Sequence, residues 1–265
     1  MFCLEGRKET GTRMNEQELL KNKILDADKT AYERNILKVC GFLSLDEQSV
    51  YHGLQKEFLT KEHFLSGGHE EAERVMAFFL PDYLDRESAV REKISAVSVV
   101  PANRRFAEEL THRDYLGALM NLGIERECIG DILADNERCV ILVQSGIAGF
   151  VADSLTRIRH TNVECAVEEG GIPDIRPRFE ELKVNIASER VDAVTAAVFR
   201  VSRQKASELV ASERIFINGQ TVVSAGRTLK EGDRVSVRGA GKYIYDGISG
   251  SSRKGRLFAD IRRFV

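Results

Sequence analysis

The sequence predicts an α+β protein in which an acidic body precedes a basic C-terminal unit. Apolar residues recur at both helical and strand spacing in the body. Residues 188–265 contain 15 Lys and Arg against 8 Asp and Glu, whereas the preceding residues contain 24 against 33. The stretch EGGIPDIRPRFE at 169–180 holds two of the four prolines. We therefore expect a linker at 169–180, followed by a basic domain at 181–265.

Composition indicates which classes of protein and which kinds of site are excluded. The chain has 265 residues, 43% of them hydrophobic, with no apolar run long enough for a transmembrane helix and no apolar signal core at its start. The five cysteines are scattered and include no CxxC pair, which argues against disulfides or a zinc site. We expect a cytoplasmic protein with no membrane partner, metal or cofactor. Residues 1–13 are expected to form a disordered leader.

Residues 14–79 are predicted to form a helical N-terminal region. Apolar residues recur at helical spacing over 14–40. Ser44-Leu45-Asp46-Glu47 fits a capping box that opens a second helix. Gly67-Gly68 indicates a tight turn, and VMAFFL at 75–80 is typical of a buried strand.

Residues 80–168 show the element order β-α-β-β-α-β of a ferredoxin-like plait, which RNA-recognition (RRM) domains share. Its elements are predicted, in chain order, at 94–100, 112–123, 127–135, 138–144, 145–158 and 162–169, with a hairpin turn at Asn136-Glu137. An RNA-recognition domain stacks bases on aromatic residues of its two central strands. Neither 94–100 nor 138–144 contains an aromatic residue. If this plait contacts RNA, we expect it to use another surface.

The basic unit is predicted to contain two short helices, a hairpin and an alternating strand. The helices cover about 190–200 and 203–212, and Asn218-Gly219 is typical of a type I′ turn. In RVSVR at 234–238 the two valines are expected to face inward and the two arginines outward.

Two cations in the first turn of the second predicted helix indicate a function. Ser202 can cap this helix, which leaves Arg203 and Lys205 beside free backbone N–H groups. Cations are normally disfavoured there because a helix N-terminus carries partial positive charge. A phosphate docked at this turn would make the arrangement favourable, whereas a solvated surface turn is the alternative.

The C-terminal pattern resembles a known RNA-binding domain. Two short helices, the second of which starts SR-x-KA, are followed by the hairpin IFING and a GD-x-V-x-V strand within Ser188–Arg238. This pattern resembles the αL domain, named after small-subunit ribosomal protein four. That domain also occurs in tyrosyl-tRNA synthetases, RNA pseudouridine synthases and heat-shock ribosome-binding proteins. The resemblance implies an αL RNA-binding domain with a basic tail at 181–265.

Longer blocks resemble the YlmH proteins of Gram-positive bacteria. These blocks are GGHEEAERVMAFFLPDY, LTHRDYLGALMNLGIERECIGDI, SERVDAVTAAVFRVSRQKA, and VSVRGAGKY followed by RKGR. The resemblance implies a cytoplasmic protein that binds ribosomal RNA of the large subunit. It also implies association with subunits that carry stalled peptidyl-tRNA and a role in their rescue. The family is known near cell-division genes, so a cell-division-linked interaction protein is an alternative.

Candidate RNA contacts are mainly cations of the C-terminal domain. They are Arg190, Ser202, Arg203, Lys205, Arg214, Asn218, Arg227, Lys230, Arg234, Arg238, Lys242, Arg253, Lys254 and Arg256. A second surface on the plait is a candidate contact for RNA or protein. It comprises Arg104, Arg105, His112, Arg113, Asp114 and Arg126.

Catalytic signatures are incomplete, so we expect no enzyme. His112-Arg113-Asp114 matches the HRD of kinase catalytic loops, but Leu119 stands where such loops carry asparagine. A glycine-rich phosphate loop and a DFG motif are absent, as are the HIGH and KMSKS signatures of a synthetase. GAGKY at 239–243 has too few glycines for a methyltransferase cofactor loop. An RNA-modifying enzyme with its site in the plait remains an alternative, because polar residues are dense around His112.

Overall fold

The computed structural model describes residues 6–108, 110–134, 138–173, 179–252 and 255–264. The chain divides into two compact units, Met1–Ile175 and Arg176–Val265. The division falls inside the stretch expected to be a linker, 169–180. Phe179 and Glu180 already belong to a strand of the second unit, so the C-terminal end of the expected linker is part of a sheet.

The first unit begins with two helices and a three-stranded antiparallel sheet. In chain order they are α1 (Gly6–Arg34), β1 (Lys38–Leu43), α2 (Leu45–Leu54), β2 (His63–Ser66) and β3 (Val75–Phe79). The strand order is β1-β3-β2. Every residue of the central strand β3 is buried, as the unbroken apolar run predicts. The predicted capping box is confirmed, because the backbone N–H of Ser44 donates to Glu47 Oε2 at 2.6 Å.

Two expectations for this region are wrong. Residues 6–13, expected to be a disordered leader, form the first turns of α1. Extending an existing helix avoids the unfavourable nucleation step, which explains why a polar segment can continue it. The helical segment expected over 14–40 also ends earlier, at Arg34. Asn35 has a left-handed backbone with φ 49° and follows the end of α1, and residues 38–43 pair with β3 as an antiparallel strand.

The first unit continues with a five-stranded antiparallel sheet and three helices. In chain order these are α3 (Arg86–Lys93), β4 (Ile94–Pro101), α4 (His112–Asn121), β5 (Ile129–Ala134), β6 (Cys139–Gln144), α5 (Ala148–Ser154), β7 (Arg157–Ile158) and β8 (Thr161–Val167). Short 3-10 helices cover Arg104–Phe106, Arg126–Cys128 and Ser145–Ile147. The strand order is β5-β6-β4-β8-β7. The hairpin turn predicted at Asn136-Glu137 lies outside the described residues.

The helix predicted at 145–158 is shorter in the structure. It ends at Ser154, and Arg157-Ile158 instead pairs with β8 as a short edge strand. The start of α4 agrees with the sequence, because Thr111 and Asp114 form a capping box. Asp114 Oδ2 accepts hydrogen bonds from the backbone N–H and the hydroxyl of Thr111, at 2.8 and 2.7 Å.

The five-stranded sheet is covered on both faces within the first unit. One face packs against α4 and α5, in a core that includes Val97, Ile141 and Leu119. The opposite face packs against the three-stranded sheet. The residues that meet there include Ala96, Val140 and Leu142 of the five-stranded sheet and Phe42, Met76 and Phe78 of the three-stranded sheet. The face that RNA-recognition domains use for base stacking is therefore inside the core.

A buried carboxylate anchors the loop that precedes β3. Asp131 on β5 accepts hydrogen bonds from the backbone N–H groups of Glu73 and Arg74, at 2.8 and 3.0 Å. Its Oδ2 also lies 3.0 Å from His69 Nε2. Burial alone would raise the pKa of Asp131, but these hydrogen bonds outweigh burial and hold the pKa below its ordinary value.

The second unit is a six-stranded antiparallel sheet with two helices packed on one face. In chain order its elements are β9 (Phe179–Ile186), α6 (Val191–Phe199), α7 (Arg203–Ala211), β10 (Ile215–Ile217), β11 (Gln220–Thr221), β12 (Asp233–Val237), β13 (Gly241–Ser251) and β14 (Leu257–Phe264). The strand order is β11-β10-β12-β13-β14-β9. The core joins α6 and α7 to inward residues of the sheet, among them Val235 and Val237.

Candidate nucleic-acid interface

The junction between α6 and α7 contains three of the predicted contact residues, Ser202, Arg203 and Lys205. Helix α6 ends at Phe199, and the next residue, Arg200, has a left-handed backbone with φ 53° that turns the chain toward α7. Ser202 then caps α7, as predicted, with its hydroxyl oxygen accepting the N–H of Lys205 at 3.0 Å. The side chains of Arg203 and Lys205 are exposed in the first turn. The cations therefore lie where the sequence places them, at the positive end of a helix.

A buried carboxylate explains how the fold tolerates these cations. Asp192, in the first turn of α6, accepts two hydrogen bonds from Arg190, at 3.1 and 2.9 Å, and two from Arg203, at 3.2 and 3.4 Å. Burial would raise the pKa of Asp192, but the two guanidinium groups outweigh burial and lower it. Asp192 thus holds two exposed guanidinium groups side by side, and a phosphate is not needed to make the first turn of α7 stable.

Other predicted cations extend this surface. The loop before β12 reaches α6, because Arg227 O accepts the N–H of Val191 at 2.8 Å. Arg227 is exposed, and Arg190 lies close to the same loop at Gly226. Lys205 is exposed and forms an ion pair with Glu208, 3.3 Å away, which is too exposed to immobilise it strongly.

The hairpin turn is built as predicted. Asn218 and Gly219 both have positive φ, 51° and 77°, as a type I′ turn requires. The Asn218 side chain is engaged, because its Oδ1 accepts the N–H of Arg234 at 3.0 Å and its Nδ2 donates to Asp233 at 2.9 Å. Lys230 is exposed on the adjoining turn, where its N–H donates to Asp233. Asn218 therefore shapes the turn and holds it against β12.

Three further cations lie on or beside the sheet. Arg214 Nη2 donates to the carbonyl of Arg238 at 2.6 Å, so its guanidinium group braces the end of β12. Arg238 lies over the ring of Phe216, 5.5 Å from its centroid, and Lys242 lies over Phe264 at 5.2 Å. These side chains are fixed partly by aromatic contacts.

The basic tail is only partly described. Arg253 and Lys254 lie outside the described residues. Arg256 is exposed in the turn between β13 and β14, where its N–H donates to Ser252 Oγ at 3.0 Å.

The second predicted surface divides into separate places. Arg104 and Arg105 are exposed on the 3-10 helix before α4, and His112 and Arg113 are exposed at the start of α4. Arg126 lies beyond the other end of α4 and is half-buried, with Nη1 donating to Ile129 O at 2.7 Å. Burial and the neighbouring Arg74 lower the pKa of Arg126 to about 10. The guanidinium group of Arg126 is therefore held against the backbone of the first unit.

A groove on the helical side of the five-stranded sheet passes beside Arg113 and Asp114. Its volume is about 600 Å³, and it is lined by Arg113, Asp114, Gly117, Ala118, Asn121, Leu122, Ser154, Leu155, Thr156, Arg157 and Arg159. His112 is not among its lining residues. Hydrogen bonds from Thr111, together with Arg159, hold the pKa of Asp114 below its ordinary value. Asp114 is therefore a poor candidate for a general acid or base.

Comparisons with known proteins show which proteins this chain is similar to. Residues 93–170 match the family model described as "Putative RNA-binding domain in YlmH". The chain is also 29% identical over 239 residues to "Ribosome-associated protein quality control protein P2" of Bacillus subtilis (strain 168), which covers 88% of this chain and 90% of the relative. The chain is thus similar to the YlmH family, through this domain and through the alignment along most of its length. A solved structure, "Cell division protein ylmH from Streptococcus pneumoniae", is 28% identical and covers 58% of this chain and 91% of its own, with a TM-score of 0.47.

The region that matches the YlmH model coincides with the five-stranded sheet and its helices. It starts at the end of α3 and ends just after β8. The groove beside α4 lies within this region. Among the residues placed by the structure, no helix is long and apolar enough to cross a lipid bilayer. In the same residues, His, Cys, Asp and Glu form no group of three or more suited to a metal ion.

Sequence reasoning missed three residues that shape these surfaces. Asp192 was overlooked, although an acid in the first turn of a predicted helix is favoured by the partial positive charge there. Arg157 falls inside the helix predicted at 145–158, and Arg159 directly follows that helix. The alternation in TRIRH at 156–160 was an available signal for an edge strand with exposed arginines.

Proposed function

We propose that this YlmH-like protein binds ribosomal RNA of the large subunit without catalysing a reaction. The observation that carries the proposal is the pair of guanidinium groups held by Asp192 beside the exposed start of α7. Guanidinium forks and free helix N–H groups together suit phosphate oxygens. The name of the Bacillus subtilis relative, which aligns along most of the chain, supports a role at the ribosome.

Within this proposal, the second unit acts as an αL RNA-binding domain and supplies affinity. Its exposed cations would contact phosphates, which position a protein without reading base sequence. Residues 80–168 act as a ferredoxin-like plait that selects where the protein binds. The order of four of its strands, β5-β6-β4-β8, supports this assignment because a βαββαβ plait pairs its strands in that order.

We further propose that the bound state is a large subunit carrying stalled peptidyl-tRNA and that the protein acts in its rescue, in the cytoplasm. Association with cell-division proteins is not favoured by any contact surface described above. A catalytic role in RNA modification is not favoured either, because Asp114 is the single carboxylate among the described residues that line the groove beside α4, and it is engaged by Thr111 and Arg159.

Co-sedimentation of the whole chain with purified ribosomal subunits tests the proposal. We expect the protein to sediment with the large subunit in low salt, to be released as salt is raised, and to be released by RNase. RNA binding would be contradicted if the protein still sedimented with the subunit after RNase treatment. It would also be contradicted if sedimentation depended on ribosomal proteins alone.

A further inference from the structure

Both faces of the five-stranded sheet in the first unit are covered, one by α4 and α5 and the other by the three-stranded sheet. The side without α4 and α5 is closed, since Ala96, Val140 and Leu142 are at most 1% exposed beneath the three-stranded sheet. This packing also explains why the central strands carry small and aliphatic residues in place of stacking aromatics. A nucleic acid that contacts this sheet region must therefore approach from the helical side.

The helical side contains the groove between α4 and the segment that joins α5 to β7. Its volume of about 600 Å³ is contributed entirely by residues of the first unit. Gly117 and Ala118 form part of α4 at this groove, and a Cβ placed on Gly117 would meet no heavy atom within 4 Å. The absence of a side chain at Gly117 keeps the groove open along the helix.

Charge at the groove is predominantly positive. Arg113 lines it from α4, Arg157 and Arg159 line it from β7 and the turn that follows, and all three are exposed. Arg159 is partly neutralised, because Glu108 and Asp114 each lie 3.6 Å from its guanidinium group. In the described part of the chain, Arg113 and Arg157 have no carboxylate within 4 Å and no hydrogen-bonding partner for their side chains. Two guanidinium groups are therefore available to an incoming anion.

We propose that this groove binds the phosphate backbone of RNA through Arg113 and Arg157, with Arg159 between two carboxylates as a third, weaker contact. The inference rests on the proposed function and assigns a second RNA contact, outside the basic C-terminal unit. No aromatic residue lines the groove, so it suits backbone phosphates and does not provide a stacking surface. RNA is favoured over an acidic protein because the matched model, residues 93–170, describes an RNA-binding domain.

The test uses the whole chain and purified large ribosomal subunits. Two variants alter the groove, Arg113→Ala with Arg157→Ala and, separately, Gly117→Glu. The matched control is Gly149→Glu, because Gly149 is also an exposed helical glycine whose added Cβ would meet nothing within 4 Å, but it lies outside the groove. The altered side chains are exposed, so the fold should be retained, and circular dichroism checks this.

The double arginine variant should lower affinity at least about tenfold and reduce the log–log salt slope by roughly 0.7–0.9 for each lost phosphate contact. Gly117→Glu should weaken binding in the same direction, whereas Gly149→Glu should bind as the parent does. A photoreactive phenylalanine analogue in place of Gly117 should cross-link to ribosomal RNA. If both groove variants bound as tightly as the control, the inference would be overturned but the proposed function would stand. Cross-linking to ribosomal protein alone would have the same meaning. If the unaltered chain did not bind subunits at all, the proposed function itself would fail.

Discussion

Asp192 on α6 and Arg203 on α7 form a bidentate pair across the junction of the two helices, with donor–acceptor distances of 3.2 and 3.4 Å. The carboxylate is almost fully buried and the guanidinium group is half exposed. This relationship couples stability to the shape of the proposed interface, because the same contact that closes the junction also orients a cation toward solvent.

Replacing Asp192 with asparagine should destabilise the protein. The change leaves Arg190 and Arg203 without their shared partner, and the half-exposed guanidinium groups limit the cost to about 1–2 kcal/mol. Urea denaturation measures the effect. Asp153→Asn is the control, since Asp153 is an exposed acid on α5 and its change should stay within about 0.5 kcal/mol. Equal stability of the Asp192 variant and the parent would contradict the role assigned to this pair.

The contribution of Asp192 should depend on pH. Its pKa in the folded state lies below the ordinary value of 3.8, so its stabilising effect is fully present above that value and is lost as pH falls through the folded-state pKa. We therefore expect the stability difference between the parent and Asp192→Asn to be constant near neutral pH and to shrink below about pH 4. Denaturation curves at several pH values measure this. A difference that grows on acidification would have the wrong sign.

Replacing Arg203 and Lys205 together with alanine should weaken RNA binding without unfolding the protein. Each phosphate contact that is lost should lower the log–log salt slope by roughly 0.7–0.9. The fold should survive because both side chains are exposed and Arg190 still neutralises Asp192. Lys183→Ala on β9 is a suitable control, since it removes an exposed cation of the same unit away from α6 and α7. An unchanged slope and affinity would remove the start of α7 from the interface.

Asp131 should be essential for the stability of the first unit. Replacing it with alanine leaves the partly buried backbone N–H groups of Glu73 and Arg74 without their acceptor, at a cost of about 1–3 kcal/mol. Thermal or urea denaturation checks the loss. An exposed acid such as Asp153, changed to alanine, serves as control. A loss no larger than that of the control would show that the loop at 67–74 does not depend on this carboxylate.

Short sequence motifs correctly predicted those caps and turns whose geometry depends only on residues adjacent in the chain. The capping box at Ser44 and the turn at Asn218-Gly219 were readable because each needs only a few residues of sequence. Strand β1 was not readable, because KVCGFL follows a helical pattern directly and becomes a strand only by pairing with β3.

The residues of the candidate site were also predictable only where their positions depend on local sequence. Ser202, Arg203 and Lys205 were found because their positions depend on one helix start. The groove residues Arg157 and Arg159 were missed because their exposure depends on pairing between β7 and β8. Arg126 was misplaced for a related reason, since burial against Ile129 and Arg74 is a property of the assembled fold.

The boundaries of the second unit matter for any fragment experiment. Strand β9 pairs with β14 from Phe179 onward, and the rings of Phe179 and Phe264 pack at 4.8 Å between centroids. A fragment that starts at residue 176 should therefore be more stable than one that starts at 181, by roughly 1 kcal/mol for the aromatic pair alone. Equal midpoints in urea would contradict this boundary.

The central claim is that the C-terminal unit supplies affinity for RNA and that the first unit adds selectivity for one ribosomal state. The most direct measurement is sedimentation of residues 176–265, residues 14–173 and the whole chain with vacant and with peptidyl-tRNA-bearing large subunits. We expect residues 176–265 to bind both subunits alike and residues 14–173 to bind weakly. The whole chain should prefer the peptidyl-tRNA-bearing subunit, with a gain that can reach on the order of 10²–10⁴ because the second contact is intramolecular. The account would be contradicted if residues 176–265 alone discriminated between the two kinds of subunit as well as the whole chain does.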